Sequence, residues 1–440
     1  MTRQGAMPFR TLPPAGTPIG GIELGRWLLR ALRPSGELES LRSRLIDLHG
    51  VQDAFLLSSG RAAMARLLRE MASMGGPSGG DRRGTPDEVL VPGYTCYSVA
   101  AAAVRAGLKV RPVDVDPGTL DYSREALSRV DTRRALALVS SNLFGVPNDL
   151  PYLEAFAADR GLWMVDDAAQ ALHAQVGGRR VGTFGHAGLF SFDKGKNITT
   201  VQGGVLVSRH AELCLRLQHS LGDLPLPSAR QVAAEMSKLA AYAILLHPRL
   251  YWLPHRLLPL GRTPWDLAYP VQGYSSRLAP MAHLLLDRLE EITAGRIQRA
   301  GRLTTALQSS SIAGRVRMPT ARPREEAGHR PVFLRFPLLL PDSAHRQTAL
   351  RRLDEAGLGA SASYPQALLD VPELQPFLAP GVEDIPGARR VAERLLTLPT
   401  HAYVTDRDVG RMVEILERTV APPSRMTSSS QAGASGGVLA

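Results

Sequence analysis

Gly185-His-Ala-Gly-Leu-Phe-Ser-Phe-Asp-Lys-Gly-Lys-Asn-Ile-Thr-Thr-Val-Gln-Gly-Gly204 holds two of only four lysines in a chain of 440 residues. The others are Lys109 and Lys238; the remaining basic residues are arginines. Leu189-Phe190-Ser191-Phe192 is an apolar run that leads into a polar turn carrying Lys194 and Lys196. Gly203-Gly204 then open a second apolar run, Val205-Leu206-Val207. The pattern reads as strand, exposed turn, strand. Lysine in place of arginine at such a turn points to an amine that must lose its proton, which a guanidinium does not do. The chemistry that fits is a Schiff base with an aldehyde cofactor.

Short apolar strands alternate with helices on the N-terminal side of this stretch. Ala54–Leu57 reads as a strand, Ser58-Ser59-Gly60-Arg61 as a turn, and 62–74 as a helix. Val89–Val91 is a strand ending at Pro92-Gly93-Tyr94-Thr95-Cys96-Tyr97, with a helix over 98–106. Lys109–Val113, Ala135–Ser140 and Leu162–Val165 read as further strands, with a helix over 150–160 and Asp166-Asp167 closing the last strand. This rhythm predicts a parallel sheet covered by helices, with ligands at the C-terminal strand ends. A small-residue turn entering a helix at Ser59-Gly60-Arg61 suits a phosphate, and it equally suits an ordinary serine N-cap. Asp167 is either a site carboxylate or a helix cap, and Asp166 is equally placed to face solvent.

The chain before residue 20 is rich in Pro and Gly and reads as extended. Residues 24–48 read as helical with a break at Pro34-Ser35-Gly36, and Gly50 supplies a stop signal. Helices over 211–221 and 232–246 belong to an apolar stretch that continues to residue 260. That stretch reads as a core or interface helix, or as an element lying on a membrane surface, since Arg249, Tyr251, Trp252 and Arg256 sit among leucines. A long helix over 281–303, a strand over 332–338, and helices over 349–356, 388–397 and 406–420 make a smaller α+β unit. The expected division is 1–255 for a large domain with an N-terminal arm and a helical insertion near 211–260, 256–422 for the small domain, and 423–440 for a disordered tail.

Composition is ordinary for a globular protein, 44% apolar and 21% charged. The net charge of +11 comes from scattered arginines, often beside acids, without helix-turn-helix or zinc-finger spacing, so no nucleic-acid partner is expected. Cys96 and Cys214 form no CxxC, which indicates neither a zinc site nor a disulfide framework and fits a reducing cytoplasm. No metal is expected. No signal peptide is expected at the N-terminus, and no apolar run reaches the ~18–20 residues of a membrane span.

Val165-Asp-Asp-Ala-Ala-Gln-Ala171, Ser191-Phe followed after three residues by Lys196-Asn197, and the downstream Gly-Gly together resemble the DegT/DnrJ/EryC1/StrS aminotransferases. So do the Ser-Gly turn, Val-Pro-Gly-Tyr-Thr, Leu143-Phe-Gly145, Gly273-Tyr-Ser-Ser-Arg277 and Leu398-Pro-Thr-His401. The resemblance covers roughly residues 35–420. It implies a fold-type I α/β enzyme: a large domain with a mainly parallel seven-stranded sheet between helices, and a smaller C-terminal α+β domain. It implies pyridoxal 5'-phosphate as cofactor, with Lys196 as the Schiff-base lysine and Lys194 as its rival. Asp167 would meet the pyridinium nitrogen and Gln170 the phenolic oxygen. Ser59, Gly60, Arg61 and Ser191 would hold the phosphate.

The sequence departs from the family at Cys96, where Phe or Trp is common against the ring; Tyr94 or Tyr97 offers a substitute, or the cofactor ring rests on the Cys96 thiol itself. Ser275 stands where the family has an Asn that reaches the neighbouring subunit's phosphate, and Arg277 remains. The 211–269 segment is longer and more apolar than usual. The activity implied is transfer of nitrogen from an amino donor, usually glutamate, to a keto sugar, usually nucleotide-linked, for a polysaccharide, surface glycan or secondary metabolite. A cytoplasmic homodimer with shared active sites is implied, with a weak membrane-surface contact through 232–260 that would make it peripheral to the inner membrane face. Two alternatives accompany this reading: a dehydratase or epimerase on the same site, and a non-catalytic regulatory relative.

Overall fold

A computed structural model describes residues 10–77, 86–257, 265–320 and 328–420. In chain order the elements are α1 (Gly21–Leu32), α2 (Glu37–His49), β1 (Asp53–Leu57), α3 (Gly60–Met74), β2 (Glu88–Pro92), α4 (Tyr97–Arg105), β3 (Lys109–Val113), α5 (Arg124–Arg129), β4 (Ala135–Ser141), α6 (Leu150–Asp159) and β5 (Trp163–Asp167). They continue with a small ribbon β6 (Gln175–Val176) and β7 (Arg179–Arg180), then β8 (Ala187–Ser191), β9 (Gly204–Ser208), α7 (Ala211–Gly222), α8 (Ala229–Leu245), α9 (Trp252–Leu257), α10 (Ala279–Asp287) and α11 (Leu289–Gln308). Last come β10 (Arg335–Leu339), α12 (Ser343–Glu355), α13 (Pro386–Arg394), β11 (Leu395–Pro399) and α14 (Asp406–Val420). The expected tail beyond 423 and the centre of the loop at 75–86 lie outside the described residues.

Seven strands form one sheet in the order β1-β9-β8-β5-β4-β2-β3. Only β9 runs against its neighbours, and the other contacts are parallel. Both faces are covered, because successive residues of a strand point to opposite sides. On β5, Trp163 and Val165 enter a core with α3, α4 and α7, while Met164 enters a second core with α2, α6 and α10. The sheet is thus the middle of three layers.

The lysine turn is the connection from β8 to β9. Their register pairs Ser191 with Gly204, so residues 192–203 are held at the C-terminal end of β8. Gly204 also pairs with Leu57 of β1, which brings Ser59 to the same edge. A Cβ on Gly204 would lie 2.4 Å from the backbone of Ser59, so only glycine admits this approach.

A further core joins α11, α12, α14 and the antiparallel pair β10–β11, with Leu303, Phe336, Leu338, Leu353, Leu396, Leu398, Met412 and Leu416 buried. Here two sequence expectations need correction. The helix expected over 281–303 is two helices broken at Arg288, whose guanidinium donates to Glu23 of α1 at 2.7 Å and to Glu291. The helix expected over 388–397 stops at Arg394; Leu395–Pro399 is strand β11, because a short apolar run looks alike in a buried helix and a buried strand.

Candidate active site

Neighbouring strand ends converge at one edge of the sheet. Ser141 pairs with Asp167, and Asp167 with Leu189, so the ends of β4, β5 and β8 lie side by side. Ser59 caps α3, its Oγ accepting from the N–H of Ala62 at 3.2 Å. The cap reading is thus observed, and the first turn of α3 leaves further backbone N–H groups without intrahelical partners at this edge. Ser191 faces Gly60, where a Cβ would come 3.5 Å from the Ser191 Cβ and 3.6 Å from its Oγ. Two serine hydroxyls and a helix N-terminus thus share one small-residue cradle. Arg61 turns aside, donating to Asp266 at 3.4 Å and lying over the Tyr269 ring at 4.9 Å.

Asp167 is buried, and its Oδ1 accepts from the N–H of Ala169 at 2.9 Å. Its second oxygen has no hydrogen bond among the described residues. Burial pushes its pKa up to about 6, against the pull of the Ala169 N–H and of the positive charge of Lys196. A buried carboxylate with one oxygen open is set to receive a cationic or N–H partner. Asp166, expected to be equally free to face solvent, is instead fully buried. It accepts from Asn142 at 2.8 Å, Ser140 at 3.2 Å and the N–H groups of Gly182 and Phe184. The strand runs through both aspartates, and its two faces are covered, so Asp166 is a structural anchor.

Lys196 is half-buried and Lys194 exposed. The turn is fixed from outside. Thr17 Oγ1 donates to the carbonyls of Lys196 at 3.0 Å and Asn197 at 2.6 Å. Asn197 Nδ2 donates to the Leu172 carbonyl at 2.7 Å. The Thr17 N–H donates to the Tyr242 hydroxyl of α8 at 3.1 Å. Residues 10–20 therefore do more than extend: they clamp the lysine turn, and α8 holds the clamp.

Gln170 Oε1 accepts from the Phe144 N–H at 3.0 Å, and Nε2 donates to the Tyr364 hydroxyl at 2.9 Å. Phe144 takes a left-handed backbone at φ 60°. Tyr94 is buried, with its ring edge against Tyr364 at a centroid distance of 5.8 Å. Cys96 begins α4 half-buried beside Tyr364, whose hydroxyl feels the thiol. Tyr97 also lies beside Tyr364, at a centroid distance of 6.2 Å, and its hydroxyl bonds the backbone of Gln366. Tyr364 carried no signal in the sequence; it is a lone tyrosine far along the chain.

Ser275 and Arg277 lie behind the turn. Tyr274 bonds Thr200 at 2.7 Å, Ser275 is buried, and the Arg277 guanidinium donates to the Ala31 carbonyl of α1. A separate cleft lined by Ala65, Arg66, Arg69, Arg105, Leu224 and Val271 runs along the flank of α3, away from the strand ends. Among the described residues, no group of His, Cys, Asp and Glu is arranged to hold a metal ion.

The donor set fits pyridoxal 5'-phosphate: a cradle for a phosphate, a carboxylate with an open oxygen, and a lysine on the turn that follows β8. A profile of the DegT/DnrJ/EryC1/StrS aminotransferase family matches residues 31–417. The chain is 26% identical over 386 residues to the UDP-N-acetyl-3-dehydro-alpha-D-glucosamine 3-aminotransferase of Acidithiobacillus ferrooxidans, covering 87% of this chain and 88% of that protein. It is 26% identical to a pleiotropic regulatory protein of Geobacillus stearothermophilus, covering 75% and 78% respectively. The Helicobacter pylori PseC structure, an aminotransferase involved in the biosynthesis of pseudoaminic acid, superposes with a TM-score of 0.71 at 15% identity over 93% of this chain and 99% of that one.

Proposed function

The chain belongs to the DegT/DnrJ/EryC1/StrS aminotransferase family, and on that premise we propose that it moves an amino group from glutamate to a nucleotide-linked keto sugar. The observation that carries the reading is the buried Asp167 carboxylate, one oxygen of which has no hydrogen bond among the described residues, at the strand-end edge that also carries the Ser59–Ser191 cradle and the lysine turn. The relative from Acidithiobacillus ferrooxidans, named for amination of a keto sugar nucleotide, supports the substrate class.

Pyridoxal 5'-phosphate, when bound, supplies an aldehyde that takes up amines and a ring that draws negative charge from the neighbouring carbon. Ser59, Ser191 and the first turn of α3 would hold its phosphate. Asp167 would keep the ring nitrogen protonated, and Gln170 would meet the phenolic oxygen. Tyr94 and Cys96 would border the ring. Lys196 Nζ would then carry the proton between the two carbon atoms that exchange it, as a general acid–base on the turn. Lys194, exposed to solvent, takes no part. A keto sugar incubated with 15N-glutamate should yield a 15N-labelled amino sugar. Loss of water or inversion without label indicates the dehydratase or epimerase reading, and no turnover with any keto sugar indicates the regulatory one.

The working unit of this proposal is a homodimer with shared sites. Arg277 is tied to α1, and α1 exposes Ile22, Leu28, Leu29 and Leu32 on its outer side. Mixed protomers of Lys196→Ala and Arg277→Ala should recover activity that neither has alone; unrecovered activity refutes shared sites.

Cys96 and Cys214 are free thiols, which supports a cytoplasmic setting. No helix among the described residues is long and apolar enough to cross a membrane. The contact expected through 232–260 is supported by exposed Ile244, Leu250, Leu253 and Leu257 beside exposed Arg249 and Arg256; residues 258–260 lie outside the described residues. Protein that fails to sediment with anionic vesicles at low salt would refute a peripheral position.

A further inference from the structure

Three arginines line one cleft of about 280 Å³ on the flank of α3. Arg66 and Arg69 come from α3 and Arg105 from the last residue of α4, while Ala65, Leu224 and Val271 make the apolar remainder. No acid is among these residues. Arg66 Nη2 donates to the Ser220 carbonyl of α7 at 2.6 Å, and Arg105 Nη1 donates to the Leu267 carbonyl at 3.0 Å. A carbonyl anchors a guanidinium but leaves its charge uncompensated. Glu70 stands 3.6 Å from Arg66 Nε, too far for a hydrogen bond. Arg69 is exposed and makes no hydrogen bond or ion pair among the described residues. Each guanidinium carries five donors, so most of the donors around this cleft remain open.

Unpaired polar atoms gather at the same place. Arg66 Nε and Ser220 Oγ are buried without a hydrogen bond among the described residues. So is the hydroxyl of Tyr269, whose ring lies under Arg105 at 5.7 Å. Buried polar groups are normally bonded, and open ones beside a cleft mark a place for a polar ligand. Three arginines anchored mainly by carbonyls call for an anion of more than one charge. A phosphate carries about two charges on three strong acceptor oxygens, and guanidinium forks match it. A single carboxylate would engage one fork and leave the others idle.

The cofactor phosphate belongs elsewhere. Its cradle is at Gly60, the first residue of α3, whereas Arg66 and Arg69 follow 6 and 9 residues later, about 9 and 14 Å along the helix axis at 1.5 Å per residue. The volume of the cleft limits the ligand to a small molecule. Arginines elsewhere on the surface are paired with acids, as Arg133 is with Asp131 at 2.8 Å and Arg389 with Asp370 at 2.9 Å.

We propose that this cleft is a second anion site, in which Arg66, Arg69 and Arg105 bind a small phosphate-bearing molecule. The phosphate arrives either as an inorganic anion or on an organic body that lies against Leu224 and Val271. The site stands on its own geometry and requires nothing of the reaction at the lysine turn.

The test uses the full chain, loaded with pyridoxal 5'-phosphate and freed of excess, in phosphate-free buffer at fixed ionic strength. Binding of inorganic phosphate, pyrophosphate and uridine diphosphate is read by calorimetry in wild type, Arg69→Ala, Arg105→Ala and Arg133→Ala. Arg69 and Arg105 are exposed, so their truncation should leave the fold intact, and Arg133, outside the cleft, controls for net charge. Arg69→Ala and Arg105→Ala are each expected to weaken binding by roughly 10- to 100-fold, as for loss of a charge-assisted hydrogen bond, and Arg133→Ala to leave it unchanged. A fall for phosphate or pyrophosphate assigns an inorganic anion, and a fall confined to uridine diphosphate assigns an organic phosphate. No binding of any probe to wild type, equal binding in all four proteins, or equal weakening by Arg133→Ala overturns the site. Arg69→Lys and Arg105→Lys keep the charge and should lose less; they decide the matter if the alanine variants do not fold. The visible cofactor band reports separately on the aminotransferase reading: its absence from wild type overturns that reading and leaves the cleft to the calorimetry.

Discussion

Gln170 bridges two distant parts of the chain: its Nε2 donates to the Tyr364 hydroxyl at 2.9 Å while its Oε1 accepts from the Phe144 N–H at 3.0 Å. Both bonds are fixed by one amide, so the side chain has a single orientation at the end of β5. Tyr364 follows Ser363, a residue in the left-handed region at φ 57°. The strand-end loops of the sheet and the segment carrying Tyr364 are therefore locked to each other.

Gln170→Ala leaves the Phe144 N–H without its partner in a buried turn. The expected loss is about 1–3 kcal/mol of stability, the cost of an unsatisfied buried donor. Chemical denaturation of wild type and variant measures it. Gln170→Glu restores the acceptor for Phe144 and should recover part of that loss. Equal stability of all three proteins would show that the bridge carries no weight.

Asp167 has its pKa raised by burial from an ordinary 3.8 to about 6. A raised acid stabilises the folded chain below its unfolded value near 4 and loses that contribution as pH rises through about 6. Binding a protonated ring nitrogen needs the ionised form. Cofactor affinity should therefore fall as pH drops below about 6, approaching tenfold per unit, and the slope should vanish in Asp167→Asn. Fluorescence titrations of cofactor-free protein between pH 5 and 8 give both curves.

Gly204→Ala places a Cβ 2.4 Å from the Ser59 backbone, forcing β9 from β1 and tilting the start of α3. Overpacking of this kind costs about 1–3 kcal/mol. The phosphate cradle moves with it, so cofactor affinity should fall by roughly tenfold or more. Gly222→Ala is the control: nothing lies within 4 Å of that position at the end of α7, and stability should stay level or rise.

Thr17→Val removes the hydroxyl that donates to the carbonyls of Lys196 and Asn197. The shape is kept, but two buried acceptors lose their donor and the turn loosens. The turnover number should fall about tenfold with little change in KM, since the lysine is misplaced while the substrate-facing groups stay put. A changed KM with an unchanged turnover number would contradict this role.

The alternation of strands and helices through Asp167 was legible because each strand is buried on both faces and each is followed by polar residues. The link between Ser191 and Lys196 was legible because one strand end and one turn hold both. Other features depend on partners far away in sequence. Arg288 lies inside a pattern that reads as continuous helix, and its bonds to Glu23, Glu291 and the Pro18 carbonyl accompany the break. Leu395–Pro399 is apolar throughout and becomes a strand by pairing with β10. Asp166 looked as free as Asp167 because a strand's last residue is invisible until its neighbours are known. Tyr364 and Thr17 stand in no motif; packing alone brings them to Gln170 and to the lysine turn. The apolar stretch after residue 211 read as an insertion, yet Tyr242 within it steadies the clamp on the lysine turn.

Lys196 is the amine proposed to hold the cofactor. Purified protein with added pyridoxal 5'-phosphate should show a visible absorption band that glutamate bleaches. Lys194→Ala should keep the band and Lys196→Ala should lose it. A band that survives Lys196→Ala, or that disappears only in Lys194→Ala, would take the role away from Lys196.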